Sequence, residues 1–275
     1  MLIDGKTIAE EILAEVAAEV KKLTKQPRLA AVLVGDHVGS RKFLELKKQA
    51  AEKIGIDFRL YKFPADITTQ KLRKEIVGMA KAGVNHGVLV ELPLPPHINS
   101  QYVLNAIPPE KDVDVLSEKS QGAFFVNRGE ILPPAVEAVK IILAQNNIGL
   151  RGKNCAVFGY GLLVGKPISH WLASQGATVS VINEFTLNAN RYTLNADIVI
   201  SGVGKQNIIK DDMIKDGAAI IDFGYENLEG RITGDVDFEE VSKKTSLITP
   251  VPGGVGPIVI AAVLSNLVDL IKKAN

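Results

Sequence analysis

Residues 29–54 read LAAVLVGDHVGSRKFLELKKQAAEKI, and we expect the rest of the chain to be organised around this stretch. Leu29 to Val34 is an unbroken apolar run of the length of a buried strand, and a turn with two glycines follows it. Ser40 to Ile54 then predicts a helix, with Ser40 as its N-cap. A buried strand, a short turn and a helix in this order are typical of a parallel α/β sheet.

Two residues of this predicted helix have a spacing that bears on function. Phe43 and Lys47 are four residues apart, which places an aromatic ring and an amine on one face of the helix. They fall in its first two turns, near the carboxyl end of the preceding strand, where α/β sheets bind ligands. A flat ligand could stack on Phe43 and meet the ammonium of Lys47. The alternative interpretation is a core phenylalanine beside a solvated lysine.

The chain on either side of this helix extends the same pattern. Thr7 and Glu10 match a capping box at the start of an amphipathic first helix. Downstream, the periodicity predicts a strand, a helix and a strand at Ile56 to Tyr61, Thr68 to Ala82 and Gly87 to Leu92. The order βαβαβ predicts a parallel sheet with right-handed crossovers.

Acidic residues follow the third predicted strand. Glu91 stands at the end of this apolar strand, just before a proline-rich turn, and is either exposed there or placed in a cleft. After a predicted helix at Asn99 to Ala106, Asp112 and Asp114 alternate with valines, which indicates an extended, half-buried segment. The alternative is a loop with solvated acids.

A second strand, turn and helix begin at Asn154. Asn154 to Phe158 is an apolar strand, and the turn after it carries Gly159, Gly161 and Gly165 before a helix that starts near Lys166-Pro167. In this context the glycines allow a tight turn, close approach of the backbone to a pyrophosphate, and close packing of the helix on the strand. We therefore predict a Rossmann-type dinucleotide-binding domain.

Later strands of this half are predicted at Ala177 to Ile182, Ala196 to Ser201 and Ala218 to Phe223. Glu184 follows the first of them, in the position of an acid that bonds the ribose hydroxyls of NAD and would repel the extra phosphate of NADP. Its alternative interpretation is a simple loop acid. Near the end of the chain, the proline- and glycine-rich segment Ile248 to Pro257 specifies a rigid backbone path, and Ile258 to Ile271 predicts an apolar helix.

The bulk composition limits the class of partner. A net charge of +1 gives no reason to expect nucleic acid or a membrane surface as a partner. Cys155, the one cysteine, falls in a predicted buried strand, and the four histidines show no metal-ligand spacing, so we expect no disulfide and no metal site. We find no signal peptide and no apolar run long enough to span a bilayer, and therefore expect a cytoplasmic protein.

Ser117 to Arg128 has little periodicity and is predicted to be a polar connection at the domain junction, followed by a linking helix at Ala135 to Gln145.

Six motifs occur along the whole chain: Ser40-x-x-Phe43-x-x-x-Lys47, Leu92-Pro93-Leu94-Pro95, Lys111-Asp112-Val113-Asp114, Val164-Gly165-Lys166-Pro167, Gly234-Asp235-Val236 and Thr249 to Pro257. Together they resemble the bifunctional methylenetetrahydrofolate dehydrogenase/methenyltetrahydrofolate cyclohydrolase family.

The resemblance runs in order from about Leu2 to Leu270, and its TPVPGGVGP string is highly specific. It implies an α/β fold with two domains around a cleft: an amino-terminal βαβ domain and a Rossmann-type dinucleotide-binding domain. Residues 1–116 plus 250–275 would form the folate-binding catalytic domain, and residues 117–249 the nucleotide-binding domain with its linking helix. The family also implies a homodimer.

The chemistry that the resemblance implies is oxidation of methylenetetrahydrofolate by NAD or NADP, followed by hydrolysis of methenyltetrahydrofolate to formyltetrahydrofolate. Lys47 would be the central catalytic residue in proton transfer, with Glu91 beside it, and Asp114 would hold the amino edge of the pterin. The substrate-binding residues would be Phe43, Val90, Leu92, Pro252, Gly253 and Gly254. The nucleotide-binding residues would be Gly159, Tyr160, Gly161, Gly165, Glu184 and Tyr225.

This sequence departs from the family pattern at functional positions. Phe43 replaces a tyrosine, so stacking survives but the hydroxyl that bonds the lysine is lost. Glu91 replaces a glutamine; its carboxylate would stabilise the ammonium of Lys47 and oppose a base role, or would itself accept a proton. Tyr160 replaces an arginine of the nucleotide turn, which together with Glu184 favours NAD. Other family positions also differ, at Val115, Pro133 to Val136, Ile182-Asn183 and Ile258-Val259.

Such departures leave three possibilities open: a changed cofactor preference, one activity kept and the other lost, or a binding protein on an enzyme's fold. We expect a folate enzyme with dehydrogenase activity, cyclohydrolase activity or both. The alternative is a non-catalytic or single-activity homologue that binds folate or nucleotide.

Overall fold

The computed structural model describes residues 1–228 and 231–274. They pack as two compact units: a three-stranded unit of residues 10–134 and 260–274, and a five-stranded unit of residues 1–9 and 135–259. The helices are α1 Gly5–Val20, α2 Val38–Lys53, α3 Thr69–Lys81, α4 Ser100–Leu104, α5 Glu118–Phe125, α6 Pro134–Gln145, α7 Gly165–Ser174, α8 Asn190–Thr193, α9 Phe238–Val241 and α10 Val255–Ala274. The strands are β1 Arg28–Val34, β2 Asp57–Phe63, β3 Gly87–Val90, β4 Asn154–Phe158, β5 Thr178–Ile182, β6 Ile198–Ser201, β7 Ala219–Asp222, β8 Glu226–Leu228, β9 Arg231–Thr233 and β10 Leu247–Ile248.

The three-stranded unit has the predicted βαβαβ order. Its sheet has the order β2-β1-β3, and both strand pairs are parallel. β1 lies in the centre, and Leu29 to Val34 are all buried, which explains why its sequence is apolar on both faces instead of alternating. The central position of β1 also places the start of α2 at the carboxyl end of the sheet.

Helix α10 supplies much of the apolar core of this unit. Val263, Leu264, Leu267 and Val268 pack with β1 and β3 residues, including Leu29 and Leu89. By length and composition alone, α10 could cross a membrane, contrary to our expectation that no apolar run is long enough. Burial of these side chains in the core of the unit accounts for the apolar sequence.

Two helices begin earlier than predicted. α1 starts at Gly5, and Asp4 caps it, because its Oδ1 accepts the N–H groups of Lys6 and Thr7 at 3.1 and 3.2 Å. Thr7 therefore lies inside the helix. α2 starts at Val38, and His37 is its N-cap, with Nδ1 accepting the N–H of Ser40 at 3.3 Å. The predicted caps at Thr7 and Ser40 were wrong. Asp4 and His37, which precede them in the chain, accept the free N–H groups at the starts of the two helices.

The segment predicted as a polar connection contains α5, a helix of eight residues capped by Ser117. Its short length and its internal glycine hide the helical period in the sequence. The compact units also have limits different from the predicted domains: residues 117–134 pack with the three-stranded unit, and residues 1–9 and 250–259 with the five-stranded unit. Asn266 of α10 fixes the first of these segments by donating to the carbonyl of Leu132 at 2.9 Å.

The five-stranded unit is a parallel sheet of order β10-β7-β6-β4-β5. The chain passes from β4 outward to β5 and then returns to the other side of β4 to form β6. The strand order therefore reverses between β4 and β6, the point at which open α/β sheets bind nucleotides. The hairpin of β8 and β9 was not predicted. Helix α10 begins at Val255, so the rigid segment predicted up to Pro257 ends inside the first turn of this helix.

Candidate active site

A buried ion pair lies at the carboxyl end of the three-stranded sheet. Lys47 Nζ lies 2.7 Å from Glu91 Oε2, and the two residues are only 6% and 9% exposed. Lys47 projects from α2, whereas Glu91 directly follows β3 and donates its backbone N–H to the carbonyl of Val32 at 3.0 Å. The sheet therefore fixes the carboxylate, and the helix brings the ammonium to it. Glu91, predicted to be either exposed or in a cleft, is buried and paired.

Phe43 lies beside this pair. Its ring centroid is 5.3 Å from Lys47 Nζ, within the range of a cation–π interaction, and its side chain is half-buried. The interpretation of Lys47 as a solvated charge is therefore wrong. An aromatic face, an ammonium and a carboxylate adjoin one another, as the spacing on α2 predicted for the first two.

Asp114 completes the charged group in this unit. Burial raises the pKa of its carboxyl to about 6; repulsion from Glu91 and Asp112 adds to the rise, and the positive charge of Lys47 opposes it. The described residues give its side chain no hydrogen-bond donor. The residue is half-buried, so its carboxylate is available to a ligand with donor groups.

Asp112 has a different role, which the sequence did not reveal. It is 1% exposed, and its carboxylate accepts the N–H groups of Leu116 and Ser117 at 3.1 and 2.8 Å. These bonds close the chain around Asp114 and Val115, and Val115 has a φ of 57°, which is rare for a β-branched residue. The interpretation of solvated acids is therefore wrong for Asp112, which shapes the backbone that presents Asp114.

The other residues predicted to line the folate site divide between the units. Val90 is buried within β3, and Leu92, which follows Glu91, is half-buried. Pro252, Gly253 and Gly254 belong to the five-stranded unit. There a side chain at Gly254 would lie 2.5 Å from the carbonyl oxygen of Pro250, so this loop requires a glycine where the backbone folds back on itself.

The glycine turn after β4 has the geometry that its motif predicted. Gly159 has a φ of 87°, and a Cβ at Gly165 would lie 2.1 Å from the carbonyl oxygen of Gly159. A Cβ at Gly161 would meet no atom within 4 Å, so this side of the turn is open to a ligand. The tight first and third glycines and the open second one fit the pyrophosphate of a dinucleotide.

The remaining predicted nucleotide residues lie in the same unit with exposed side chains: Tyr160, Glu184 and Tyr225. Glu184 follows β5 and has no ion-pair partner among the described residues. Lys166, in the first turn of α7, places its Nζ 5.6 Å from the ring centroid of Tyr160. The turn therefore carries the ammonium of Lys166 even though the family arginine is absent. The sequence analysis missed this cation.

Comparison with known proteins decides the family. Residues 3–114 match the model of the tetrahydrofolate dehydrogenase/cyclohydrolase catalytic domain, and residues 133–275 match that of its NAD(P)-binding domain. The chain belongs to the tetrahydrofolate dehydrogenase/cyclohydrolase family. The predicted family is thus confirmed, as is the predicted enzyme class of dehydrogenase and cyclohydrolase in folate one-carbon metabolism, with a nicotinamide nucleotide as cofactor.

Individual members of this tetrahydrofolate dehydrogenase/cyclohydrolase family match over nearly the full length. The "Bifunctional protein FolD" of Bacillus licheniformis is 42% identical over 276 residues, covering 99% of this chain and 97% of the relative. That of Hydrogenobaculum is 40% identical over 274 residues and covers 99% of both chains. The crystal structure of the bifunctional enzyme FolD from Campylobacter jejuni superposes with a TM-score of 0.96 at 38% identity, covering 100% of this chain and 99% of the other.

Proposed function

We propose that this protein oxidises methylenetetrahydrofolate with a nicotinamide nucleotide and hydrolyses methenyltetrahydrofolate, with Lys47, Glu91 and Asp114 as its catalytic residues. The observation that carries the proposal is the buried pair of Lys47 and Glu91, 2.7 Å apart, with the ring of Phe43 on one side. A buried ion pair is weak evidence for stability, because desolvation of both charges offsets their attraction. Because this pair lies at the ligand-binding end of the sheet, a role in catalysis explains its burial better than a role in stability.

Each group has a role that follows from its surroundings. The face of Phe43 stacks on the pterin, and the carboxylate of Asp114, which has no donor within the described part of the chain, accepts hydrogen bonds from the amino edge of the pterin. A bound nicotinamide nucleotide supplies the acceptor for the hydride that leaves the methylene carbon. The ammonium of Lys47 donates a hydrogen bond to the folate.

Hydrolysis of the methenyl bridge needs a group that accepts a proton from the attacking water. Glu91 can do so, because its backbone is bonded to Val32, Lys47 holds its Oε2, and its Oε1 takes no part in the ion pair. As the carbon–nitrogen bond of the resulting carbinolamine breaks, Glu91 returns this proton to the departing nitrogen, and the ammonium of Lys47 stabilises the negative charge that develops on the carbinolamine oxygen. This assigns the base role to the acid and the electrostatic role to the lysine.

The test is the rate of methenyltetrahydrofolate hydrolysis, followed by absorbance, in wild type and in Lys47→Met. We expect a loss of at least about 100-fold, since removing one group that stabilises the charge of the transition state costs on that order. Lys48→Met is the matched control, because Lys48 is the next residue of α2, its side chain is 41% exposed, and its Nζ lies 4.0 Å from Glu52 Oε1, away from Glu91. A Lys47→Met variant that hydrolyses the substrate at the wild-type rate would disprove the assignment.

The second candidate is a single-activity enzyme that retains the dehydrogenase reaction alone. Phe43 favours it, because phenylalanine has no hydroxyl to orient the amine of Lys47. Wild-type protein that reduces the nicotinamide nucleotide but does not accelerate hydrolysis would identify this case. Protein that binds folate and turns over neither substrate would instead indicate a non-catalytic homologue.

We further propose NAD as the preferred nucleotide. Glu184 supports this, because its exposed carboxylate follows β5, where it would repel a phosphate on the ribose. Tyr160 in place of the family arginine supports it too, whereas Lys166 at the same turn favours a phosphate.

Glu184→Ser should shift the ratio of kcat/KM for NAD and NADP about tenfold toward NADP. Glu240→Ser removes an exposed acid elsewhere in the unit and should leave the ratio unchanged; the same ratio in both variants would exclude Glu184 as the discriminator.

We also propose a cytoplasmic homodimer. The supporting observation is β2, an edge strand that pairs only with β1 within the described residues and carries the exposed Leu60. An open strand edge is a ready site for pairing with a second copy. Analytical ultracentrifugation checks this, and Leu60→Lys should favour the monomer. A wild-type protein that sediments as a monomer at micromolar concentration would refute the proposal.

A further inference from the structure

The loop that follows β6 is held by acidic side chains from another part of the chain. We call residues 202–206 the β6 loop. Asp235, which is 0% exposed, accepts the N–H groups of Val203, Gly204 and Lys205 at 2.8, 2.9 and 2.8 Å. It also accepts the hydroxyl of Ser201 at 2.5 Å. A carboxylate that receives four donors fixes the backbone far more firmly than a single hydrogen bond would.

The two remaining N–H groups of the β6 loop are bonded as well. Glu226 Oε2 accepts the N–H of Gln206 at 2.8 Å, and the carbonyl of Phe158 accepts that of Gly202 at 3.2 Å. Every N–H of the loop therefore bonds to this unit, and none is left for a phosphate. The loop presents the side chain of Val203, which is 46% exposed. It is thus a rigid wall whose N–H groups are all occupied within the unit.

This wall borders the glycine turn. A Cβ at Gly159 would lie 3.2 Å from the carbonyl oxygen of Gly202 and 3.3 Å from a methyl of Val203. Conversely, a Cβ at Gly202 would lie 2.5 Å from a methyl of Val164, just before α7. The turn after β4 and the loop after β6 are therefore packed together where the strand order reverses, and a nucleotide at the turn must lie along the loop.

We propose that Asp235 is a positioning residue for nicotinamide nucleotide binding: it holds the β6 loop against the glycine turn as one wall of the nucleotide site. Asp235 does not touch the nucleotide itself. The proposal rests on the proposed function only in placing the nucleotide at the glycine turn. Its consequence is that a buried acid in the Gly234-Asp235-Val236 motif controls nucleotide affinity from behind the loop.

The test measures the Kd of NAD, and separately of NADP, by titration calorimetry on the full chain. Asp235→Asn keeps the shape of the side chain but turns an NH₂ group toward donors, so we expect binding to weaken about tenfold or more. Ser201→Ala removes one of the four hydrogen bonds and should weaken binding about threefold. Hydrolysis of methenyltetrahydrofolate without nucleotide should stay within about twofold of wild type in both variants.

Asp197→Asn is the matched control. Asp197 is likewise an acid that holds the backbone, but it lies at the amino ends of β4 and β6, where it accepts the N–H of Asn154 at 2.9 Å and a hydrogen bond from Lys215 Nζ at 2.5 Å. It should lower thermal stability without changing the Kd of either nucleotide. An equal rise of the Kd in Asp197→Asn and Asp235→Asn would mean a general structural effect and would overturn the proposal.

Two other outcomes also count against it. Folded Asp235→Asn with wild-type nucleotide affinity overturns the proposal, and if that variant does not fold, an unchanged Kd in Ser201→Ala does so. Failure of the proposed function gives a different result, because wild type would then bind nucleotide without turning over either folate. A wild type that binds neither nucleotide would refute both.

Discussion

Asp114→Asn should make the protein more stable at pH 8 and abolish its use of folate. The pKa of the Asp114 carboxyl is raised from 3.8 to about 6, mainly by burial. Because the folded state holds this proton more tightly than the unfolded state, the stabilisation is complete below pH 3.8 and is lost as the pH rises through about 6. At pH 8 the ionised carboxylate therefore costs free energy that an amide would not.

The size of this cost follows from the shift. About two pKa units correspond to about 3 kcal/mol, and the partial exposure of the side chain reduces this to about 1–2 kcal/mol. We expect Asp114→Asn to raise Tm by about 2–6 °C at pH 8 and by about a third as much at pH 4.5, where the folded state still holds the proton but the unfolded carboxyl is already largely ionised. Thermal unfolding followed by circular dichroism at the two pH values measures both.

Asp112→Asn is the control for this prediction. Its carboxylate accepts two backbone N–H groups, so an amide there would leave one buried donor without an acceptor and lower the free energy of unfolding by about 1–3 kcal/mol at either pH. An Asp114→Asn protein that is less stable than wild type at pH 8, or equally shifted at both pH values, would refute the reasoning.

Three further predictions concern other positions. Val115→Gly relieves a φ of 57° that costs about 1–3 kcal/mol, so in urea unfolding it should destabilise less than Val113→Gly in the same segment; equal losses would mean that Val115 is unstrained. Phe43→Tyr should raise the rate of methenyltetrahydrofolate hydrolysis about threefold to tenfold by restoring a hydroxyl beside the catalytic lysine, and no gain would indicate a pocket adapted to phenylalanine. Gly165→Ala should abolish nucleotide binding in calorimetry, because its Cβ would lie 2.1 Å from a backbone carbonyl oxygen; an unchanged Kd would contradict this close packing.

The elements with a strong hydrophobic period could be predicted from the sequence. β1 and β4 lie within one residue of their predicted limits, because a buried parallel strand is a continuous apolar run bounded by turn residues. Helix starts were less predictable. The N-cap of α2 is His37, and imidazole rings are not among the side chains usually considered for capping.

Residue patterns predicted the candidate site only where local spacing brings residues together, and it was the family resemblance that placed Glu91 beside Lys47. Phe43 and Lys47 share a helix face, so their contact follows from the helical period. The pairing of Lys47 with Glu91 depends on how α2 lies against β3, which no pattern in either segment specifies. The cation of Lys166 beside Tyr160 was missed for a similar reason, because it depends on the path of the turn between them.

Four aspartates of the two units, Asp112, Asp114, Asp222 and Asp235, show why acid positions are hard to interpret from sequence. Asp112 and Asp235 both accept backbone N–H groups of nearby loops, and Asp222 accepts those of Gly224 and Val236 at 2.7 and 3.0 Å. Of these four, only Asp114 has no donor among the described residues, and it is the one that remains able to bind a ligand. In the sequence, Asp112 and Asp114 look alike in their alternation with valines, and hydrogen-bond satisfaction alone separates the acid that shapes the backbone from the acid that meets the substrate.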